Sequence, residues 1–243
     1  MKYTKIEISK AALLHPTLAV RHLFRMDASA IGIGKLSRWV NCPAPTIIEA
    51  GAFNGDDTLR FITRWPQATI YAFEPIPELS DALVRKFENY SGIHVIKKAL
   101  VGFPSRQIEM HSFDVNTQNH GSSSILQPSE HLKRAPTVQF SRKVLVNGLT
   151  GDDWLETASI DRVDLLWLDL QGAELEVLSS ARRLLDITEV CHVEVSTRRL
   201  YEGAALYNEI FSLMISAGFR LRMKRILGIT GNAVFVRCSS PKK

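Results

Sequence analysis

The sequence has few of the features that mark secreted, metal-binding or membrane-spanning proteins. Its 243 residues include only three cysteines, Cys42, Cys191 and Cys238, and none of them forms a Cys-x-x-Cys pair. We therefore expect neither a disulfide framework nor a metal site. The longest apolar runs, such as residues 165–168, are far shorter than the roughly 20 residues of a membrane span. Residues 1–7 lack an apolar signal-peptide core, so a soluble, cytoplasmic protein without membrane partners is expected.

The chain also has little excess charge. Its 30 Lys and Arg against 25 Asp and Glu give a net charge of +5 at pH 7. Such a small excess creates a weak long-range field for a polyanion, so a nucleic-acid partner is not expected. With 45% hydrophobic and 23% charged residues, the chain can bury a full core, which excludes a disordered protein.

From residue 46 onward, short β-type runs alternate with helical stretches. The runs span residues 46–50, 69–74, 94–98, 163–169, 190–195, 219–224 and 233–238, and the helical stretches span 57–65, 77–90, 173–185 and 204–217. Helices of this length between strands favour crossover connections, so we predict an α/β fold with a doubly wound, Rossmann-like, mostly parallel sheet. The last two runs have no helix between them and predict an antiparallel hairpin at the edge.

Two segments depart from this alternation. Residues 1–45 contain helical spacings at 9–27 and a Pro-rich linker at 42–45, and we interpret them as an N-terminal helical extension preceding a main domain of residues 46–243. Residues 105–150 hold two β-like pieces, 106–112 and 137–146, around a polar loop. Long loops inside compact domains are usually functional or mobile.

A candidate ligand site lies at the ends of the first two predicted strands. Gly51 and Gly55 follow the first strand, where they allow a sharp turn and a close approach to the backbone. Glu74 ends the second strand, 23 residues after Gly51, and Pro75 holds it in an extended segment. An acid at about this distance can accept hydrogen bonds from the hydroxyls of a ribose. A plain tight turn and a solvated strand-end glutamate are the alternatives.

The surroundings of this site are acidic. The acids are Glu49, Asp56, Asp57, Glu74, Asp169 and Glu174. Such surroundings suit a ligand that carries a sulfonium and an ammonium better than one that carries two phosphates. S-adenosylmethionine therefore fits better than a nicotinamide dinucleotide, whose G-x-G-x-x-G pattern is also missing.

Between residues 46 and 237 the sequence resembles the FkbM-type family of S-adenosylmethionine-dependent methyltransferases. The matching pieces are residues 49–55, 72–77, 121–124, 168–178, 193–196, 200–203 and 231–237, and the Asp-x-x-Gly-Ala-Glu piece that begins at Asp169 is the most specific of them. One departure is Gln171, which stands where the family commonly has glutamate.

The resemblance implies the class I methyltransferase fold, with S-adenosylmethionine as cofactor. It also favours residues 116–125 as a lid over the cofactor, with a plain solvated loop as the alternative. The implied cofactor-binding residues are Glu49, Gly51, Ala52, Asn54, Gly55, Glu74, Pro75, Ser123, Ser124 and Asp169.

The implied reaction is O-methylation of a small hydroxylated metabolite, such as a sugar or glycan precursor, by in-line displacement. A hydroxyl nucleophile benefits from a general base. Asp169 is our first candidate for this catalytic base and Glu194 the second, and His192 and His120 are further candidates. Glu194 and His192 alternate along one strand, so they are expected to point to the same side; a hydrogen-bonded polar pair inside the sheet is the structural alternative.

A basic group in the last third of the chain leaves the substrate class open. Its members are Arg198, Arg199, Arg220, Arg222, Lys224 and Arg225. Alternation predicts that Arg220, Arg222 and Lys224 lie on one side of a strand, where they would guard a sheet edge or recognise a phosphorylated or acidic substrate. A nucleic-acid methyltransferase, a dinucleotide-dependent oxidoreductase and an inert binding module are the alternative functions.

Overall fold

The computed structural model describes residues 31–112, 123–130 and 140–238. The predicted helical spacings at 9–27, the candidate base His120 and residues 116–122 of the predicted lid lie outside this part of the chain. In chain order the elements are α1 (Ile33–Leu36), β1 (Thr46–Ala50), α2 (Asp56–Arg64), β2 (Thr69–Phe73), α3 (Pro77–Lys86), β3 (Ile93–Ile96), β4 (Ala99–Leu100), β5 (Ser105–Ser112), β6 (Arg142–Leu149), α4 (Gly151–Ala158), β7 (Val163–Leu168), α5 (Glu174–Ser180), α6 (Arg182–Asp186), β8 (Thr188–Ser196), α7 (Tyr207–Ser216), β9 (Phe219–Leu227) and β10 (Thr230–Arg237).

Seven strands form the main sheet in the order β3-β2-β1-β7-β8-β10-β9. The first five are parallel, and β10 runs antiparallel to both β8 and β9. This confirms the predicted doubly wound α/β sheet with an antiparallel hairpin at its end. The strand order reverses between β1 and β7, and open α/β sheets bind ligands in the crevice beside such a reversal.

Strand β7 lies in the middle of the sheet and is buried along its whole length. Its near-continuous apolar sequence is typical of a parallel strand covered on both faces. The exception, Asp164, is compensated because its carboxylate accepts hydrogen bonds from the backbone N–H of Thr46 at 2.9 Å and from Arg162 at 2.8 Å. The polar residue therefore also ties β7 to the start of β1.

Helices cover both faces of the sheet. The cluster on one face includes Phe73, Trp154 and Leu178, and the cluster on the other includes Phe61 and Trp167. The described end of the N-terminal segment packs into this second cluster through residues 31, 33, 36 and 40. No helix in the described residues is both long and apolar enough to span a bilayer.

The segment that interrupts the alternation forms a second, three-stranded sheet in the order β4-β6-β5. Helix α4 follows it and was not predicted. Its start is stabilised by Thr150, whose side chain accepts a hydrogen bond from the backbone N–H of Asp153 at 3.1 Å. The helix buries Trp154, whose ring packs edge-on against Tyr71 and Phe73 of β2. The helix predicted at 173–185 is divided into α5 and α6.

Strand β9 lies at the edge of the main sheet, and a β-bulge changes the faces that its basic side chains occupy. Val234 of β10 pairs with Met223, and the next residue, Phe235, pairs with Leu221. Arg222 is therefore an extra residue of β9 without an opposite residue in β10. Leu221 and Met223 consequently pack on opposite faces of the sheet. The prediction that Arg220, Arg222 and Lys224 share one side is wrong, because the bulge resets the alternation of the strand.

Candidate active site

A cavity of about 440 Å³ opens at the carboxyl ends of β1, β2 and β7, beside the reversal of strand order. We call it the first cavity. Eight of the ten predicted cofactor residues line it, namely Glu49, Gly51, Ala52, Asn54, Glu74, Pro75, Ser123 and Asp169. Gly55 and Ser124 do not. The sequence motifs therefore converge on one crevice, although they are far apart along the chain.

Glu74 is held at the mouth of β2 by the backbone. Its two carboxylate oxygens accept hydrogen bonds from the backbone N–H groups of Phe53 and Ile76, both at 2.9 Å. The residue is 4% exposed, so it is not a solvated strand-end glutamate. Burial raises the pKa of Glu74 to about 7, against the lowering effect of the two N–H donors. Each oxygen has a second lone pair that can accept a further hydrogen bond on the cavity side.

Glycine is needed at two positions after β1, for a different structural reason at each. At Gly51 (φ +91°), an added Cβ would lie 2.1 Å from the backbone oxygen of Asp169, so glycine is required where the β1 and β7 loops meet. At Gly55 (φ +74°), an added Cβ would lie 2.7 Å from the side chains of Leu83 and Phe87. Gly55 therefore faces the packed side chains around α3 and not the first cavity.

Five acids line the first cavity, and burial raises the pKa of three of them besides Glu74, namely Glu49, Asp57 and Asp169. Glu49 is buried at the end of β1 and accepts a hydrogen bond from the hydroxyl of Thr58 at 2.5 Å. Burial, followed by the charge of Asp57, raises the pKa of Glu49 well above its usual value. Burial also raises the pKa of Asp57, although Arg60 donates to it at 2.6 Å. Asp169 is the third acid. Such a wall favours a cationic ligand over an anionic one.

Asn54 shapes the loop between β1 and α2. Its Oδ1 accepts from the backbone N–H of Asp56 at 3.0 Å, and its Nδ2 donates to the Asp56 carboxylate at 3.1 Å. Its backbone oxygen accepts from Lys86 at 2.7 Å. The side chain therefore fixes the loop conformation while the residue borders the cavity.

The two predicted serines have separate positions. Ser123 lines the first cavity. Ser124 is buried, and its hydroxyl donates to the backbone oxygen of Gln171 at 3.0 Å and accepts from the backbone N–H of Leu126 at 3.0 Å. Ser124 thus attaches its segment to the loop that follows β7.

A hydrogen-bond network joins the two candidate bases. Nε2 of Gln171 donates to Oδ1 of Asp169 at 2.8 Å and to Oε2 of Glu194 at 2.9 Å. Its Oε1 accepts from the hydroxyl of Tyr201 at 3.1 Å. Burial raises the pKa of Asp169, whereas hydrogen bonds with Gln171 and Glu194 lower it. Two carboxyl groups that hydrogen-bond to each other must share a proton, so this is a coupled pair.

Glu174 holds the loop that carries this network. Its carboxylate accepts from the backbone N–H of Leu170 at 2.8 Å and from that of Gly172 at 3.0 Å. Burial raises the pKa of Glu174 to about 7. Sequence reasoning treated Glu174 only as one of several acids; its place in the Asp-x-x-Gly-Ala-Glu piece, directly after the turn at Gly172, was the signal for its structural role.

A second cavity of about 500 Å³ lies on the other side of this network. Its lining includes Gln171, Glu194, Ser196, Arg198, Tyr201 and Thr230. Asp169 faces the first cavity and Glu194 the second, so the carboxyl pair connects the two.

The structure does not bring His192 into the site. Its ring stacks on Trp167 with the centroids 3.5 Å apart, and it lines neither cavity. Within the described residues, neither ring nitrogen has a hydrogen-bond partner. Burial lowers the pKa of His192 to about 3, so the ring is neutral. Because neither ring nitrogen is hydrogen-bonded in the described part of the chain, the expected polar pair with Glu194 is not formed.

Apolar side chains form a wall of the first cavity that sequence reasoning did not assign. Ile76 follows β2, Leu100 belongs to β4, and Met110 belongs to β5. They form a surface suited to a flat ring system, next to the carboxylate of Glu74. No spacing rule relates these three positions, because Ile76 precedes α3 beside the main sheet, whereas Leu100 and Met110 belong to the second sheet.

Comparison with known proteins supports one family. A model described as the methyltransferase FkbM domain matches residues 49–221. The chain is 31% identical over 197 residues, which is 79% of either chain, to 2-O-methyltransferase NoeI of Sinorhizobium fredii. It is 30% identical over 191 residues, 74% of either chain, to Methyltransferase 1 of Beauveria bassiana.

A solved structure shares the fold. An O-methyltransferase family protein from Burkholderia thailandensis matches with a TM-score of 0.50 and 12% identity, over 97% of this chain and 59% of that one. At this identity the likeness concerns the fold alone.

Proposed function

The chain belongs to the FkbM family of methyltransferases, whose methyl donor is S-adenosylmethionine, and from this premise we propose that it methylates a hydroxyl group of a small hydroxylated metabolite, such as a sugar or glycan precursor. The observation that carries the proposal is the pair of Asp169 and Glu194, which Gln171 bridges by two hydrogen bonds and which lies between a cavity suited to the donor and a second, polar cavity. The 31% identity to a 2-O-methyltransferase supports oxygen as the methylated atom.

The first cavity fits the donor in three respects. Glu74 has free lone pairs for ribose hydroxyls, and the apolar wall of Ile76, Leu100 and Met110 suits an adenine ring. The acidic wall that contains Asp57 suits the ammonium and sulfonium charges. When bound, S-adenosylmethionine supplies a methyl group on a sulfonium, which is already a good leaving group. The chain therefore needs mainly to align the partners and to handle one proton.

The second cavity is proposed to take the acceptor. Ser196, Thr230 and Tyr201 line it beside Glu194, and this polar lining suits a neutral hydroxylated molecule. The hydroxyls of Ser196 and Tyr201 also hold the site, through hydrogen bonds to the Arg198 backbone and to Gln171. Arg198 also lines this cavity, but it lies 3.4 Å from the carboxylate of Glu130.

The basic group of β9 gives little support to a phosphorylated acceptor. Leu221 and Met223, on either side of the bulge at Arg222, pack on opposite faces, so Arg220 and Lys224 do not form a single anion site. Lys224 lies over the ring of Tyr207, with its Nζ 4.3 Å from the ring centroid.

The carboxyl pair is proposed to accept the proton that the acceptor hydroxyl loses. Glu194 borders the second cavity, and Asp169 borders the first. Burial raises the pKa of Asp169 towards the range in which a carboxylate is an effective base. General-base catalysis of this kind typically contributes about 10²–10⁴ in rate.

Donor binding is tested by calorimetry with S-adenosylhomocysteine. Glu74→Ala should lose at least one charge-assisted hydrogen bond, so the affinity should fall by about 10- to 150-fold. Glu78→Ala is the matched control, because Glu78 lies on the nearby α3 with an exposed side chain paired to Arg142. NAD should show no comparable binding. Unchanged affinity in Glu74→Ala would remove Glu74 from the donor site.

Acceptor class is tested by following a labelled methyl group from the cofactor in a cell extract. We expect the label in the fraction of small molecules. Recovery of the label in tRNA or rRNA would overturn the proposed substrate class and favour a nucleic-acid methyltransferase. Any binding of RNA should be weak. If the protein instead bound RNA through six to ten phosphate contacts, its affinity would fall by about 10³–10⁵ between 50 and 200 mM salt.

A further inference from the structure

We propose that Gln171 is a positioning residue that holds Asp169 and Glu194 together as one proton-sharing pair between the two cavities. The role of this pair in methyl transfer rests on the proposed function, whereas the coupling itself is a property of the folded chain. Gln171 lines the second cavity and contacts both carboxylates, of which Asp169 lines the first cavity and Glu194 the second.

The orientation of the Gln171 amide is fixed by its partners. The hydroxyl of Tyr201 donates to Oε1 at 3.1 Å, which directs Nε2 towards the carboxylates. A primary amide nitrogen has two hydrogens, and here each one has a separate acceptor, Asp169 at 2.8 Å and Glu194 at 2.9 Å. A flipped amide would place its oxygen against both carboxylates, so only one orientation is stable.

The backbone around Gln171 is also constrained. Gln171 has φ +52°, an unfavourable left-handed conformation for a residue with a side chain. It is held there because Ser124 donates to the Gln171 backbone oxygen at 3.0 Å and Glu174 accepts from the next backbone N–H at 3.0 Å. Strained residues held from several sides occur preferentially at functional sites.

The electrostatic surroundings explain why a neutral donor is needed at this position. In addition to burial, the negative charge of the pair raises the pKa of Asp57 from α2, of Glu174 at the start of α5 and of the phenol of Tyr201, so these acids and the pair disfavour one another's ionised forms. The described cations that border the two cavities are Arg60 and Lys98 at the first and Arg198 at the second, and Arg60 and Arg198 are paired with Asp57 and Glu130. A second full negative charge on the pair is therefore costly. The amide of Gln171 stabilises the ionised form and lowers the pKa of Asp169 without adding charge.

The identity of residue 171 therefore sets the pH at which the pair can accept a proton. Glutamate, which the family resemblance led us to expect here, would replace two N–H donors by a third acid next to Asp169 and Glu194. Loss of those donors would raise the pKa of the pair, so that the pair would stay protonated to higher pH.

The test is a ¹³C NMR titration of the full-length protein labelled at the Asp and Glu carboxyl carbons, with signals assigned by Asp169→Asn and Glu194→Gln. In the wild type the two signals should titrate in shared steps. Gln171→Met keeps the size of the side chain but removes its donors. We expect the titration to move to higher pH by about one to two units, the equivalent of one charge-assisted hydrogen bond.

Two further variants complete the test. Tyr201→Phe removes only the hydroxyl that orients the amide and should shift the titration in the same direction by less. Gln107→Met makes the Gln-to-Met substitution at an exposed residue of β5 and should leave the titration of the pair unchanged.

If Gln171→Met folds and its carboxyl pair titrates at the same pH as in the wild type, the proposal is overturned. If that variant does not fold, Tyr201→Phe decides, and a wild-type titration there would overturn it. No cofactor or acceptor is needed, so a shifted titration in a protein without methyltransferase activity would refute only the proposed function.

Discussion

Gly51→Ala should destabilise the protein by interfering with the contact between the β1 and β7 loops. The left-handed backbone at φ +91° costs a residue with a Cβ roughly 1–2 kcal/mol. The new Cβ would also lie 2.1 Å from the backbone oxygen of Asp169, so that oxygen must retreat by roughly 1 Å. This movement strains the bond from the Asp169 N–H to the Ala50 oxygen, 3.0 Å long, and a lost hydrogen bond costs about 0.5–1.5 kcal/mol. The expected total is about 1.5–3.5 kcal/mol.

Gly203→Ala is the matched control for this experiment. Gly203 has φ +73°, but nothing lies within 4 Å of an added Cβ, so only the backbone cost of roughly 1–2 kcal/mol applies. Urea denaturation of both variants and the wild type gives the two free energies of unfolding. Equal losses of stability in the two variants would refute the reasoning, because the contact with Asp169 would then contribute nothing. Since that contact positions Asp169, affinity for S-adenosylhomocysteine should also fall in Gly51→Ala.

Two predictions concern buried carboxyl groups. Asp169→Asn should keep the fold and much of the cofactor affinity, while the rate of methyl transfer falls by about 10²–10⁴; a full-rate variant would assign the proton to Glu194 or show that no base is needed. Glu174 has a pKa raised from 4.5 to about 7 in the folded state, so its stabilising contribution is present below pH 4.5 and is lost as the pH rises through 7. Urea denaturation of the wild type should therefore show a free energy of unfolding that falls from pH 5 to pH 8. The fall should be less steep in Glu174→Gln and as steep as in the wild type in the exposed control Glu156→Gln. An equally steep fall in Glu174→Gln would contradict the assignment.

Local sequence patterns were sufficient to predict the sheet and to bring most of the candidate cofactor residues to one crevice. The parallel strands are buried apolar runs, and their ends carry Gly51, Glu74 and Asp169, so strand ends and acids could be located together. Because the carboxyl ends of parallel strands lie at one edge, placing these residues in one crevice needed no tertiary information. The sequence explained Gly51 by a sharp turn and a close approach to the backbone. It did not show that the group which approaches Gly51 is the backbone oxygen of Asp169.

Contacts between distant segments could not be predicted. Gln171 and Glu194 are 23 positions apart, and their hydrogen bond depends on the pairing of β7 with β8 and on the left-handed turn after β7. Gln171 was noted only as a departure from the family. The extra residue Arg222 leaves no mark in the alternation of β9, since a strand with a bulge reads like a regular one. For His192, alternation gave the correct side of β8 but could not show the stacking on Trp167.

The two cavities are lined by different parts of the chain, and this affects how each of them could change during evolution. Among the described residues, the first cavity is lined by residues between 49 and 125 and by residues 169, 170 and 173, whereas the second is lined by residues from 171 onward. Gly228 and Ile229 form the short turn between β9 and β10 and line only the second cavity. Insertions or substitutions in this turn can therefore alter the second cavity during evolution and leave every described residue of the first cavity in place.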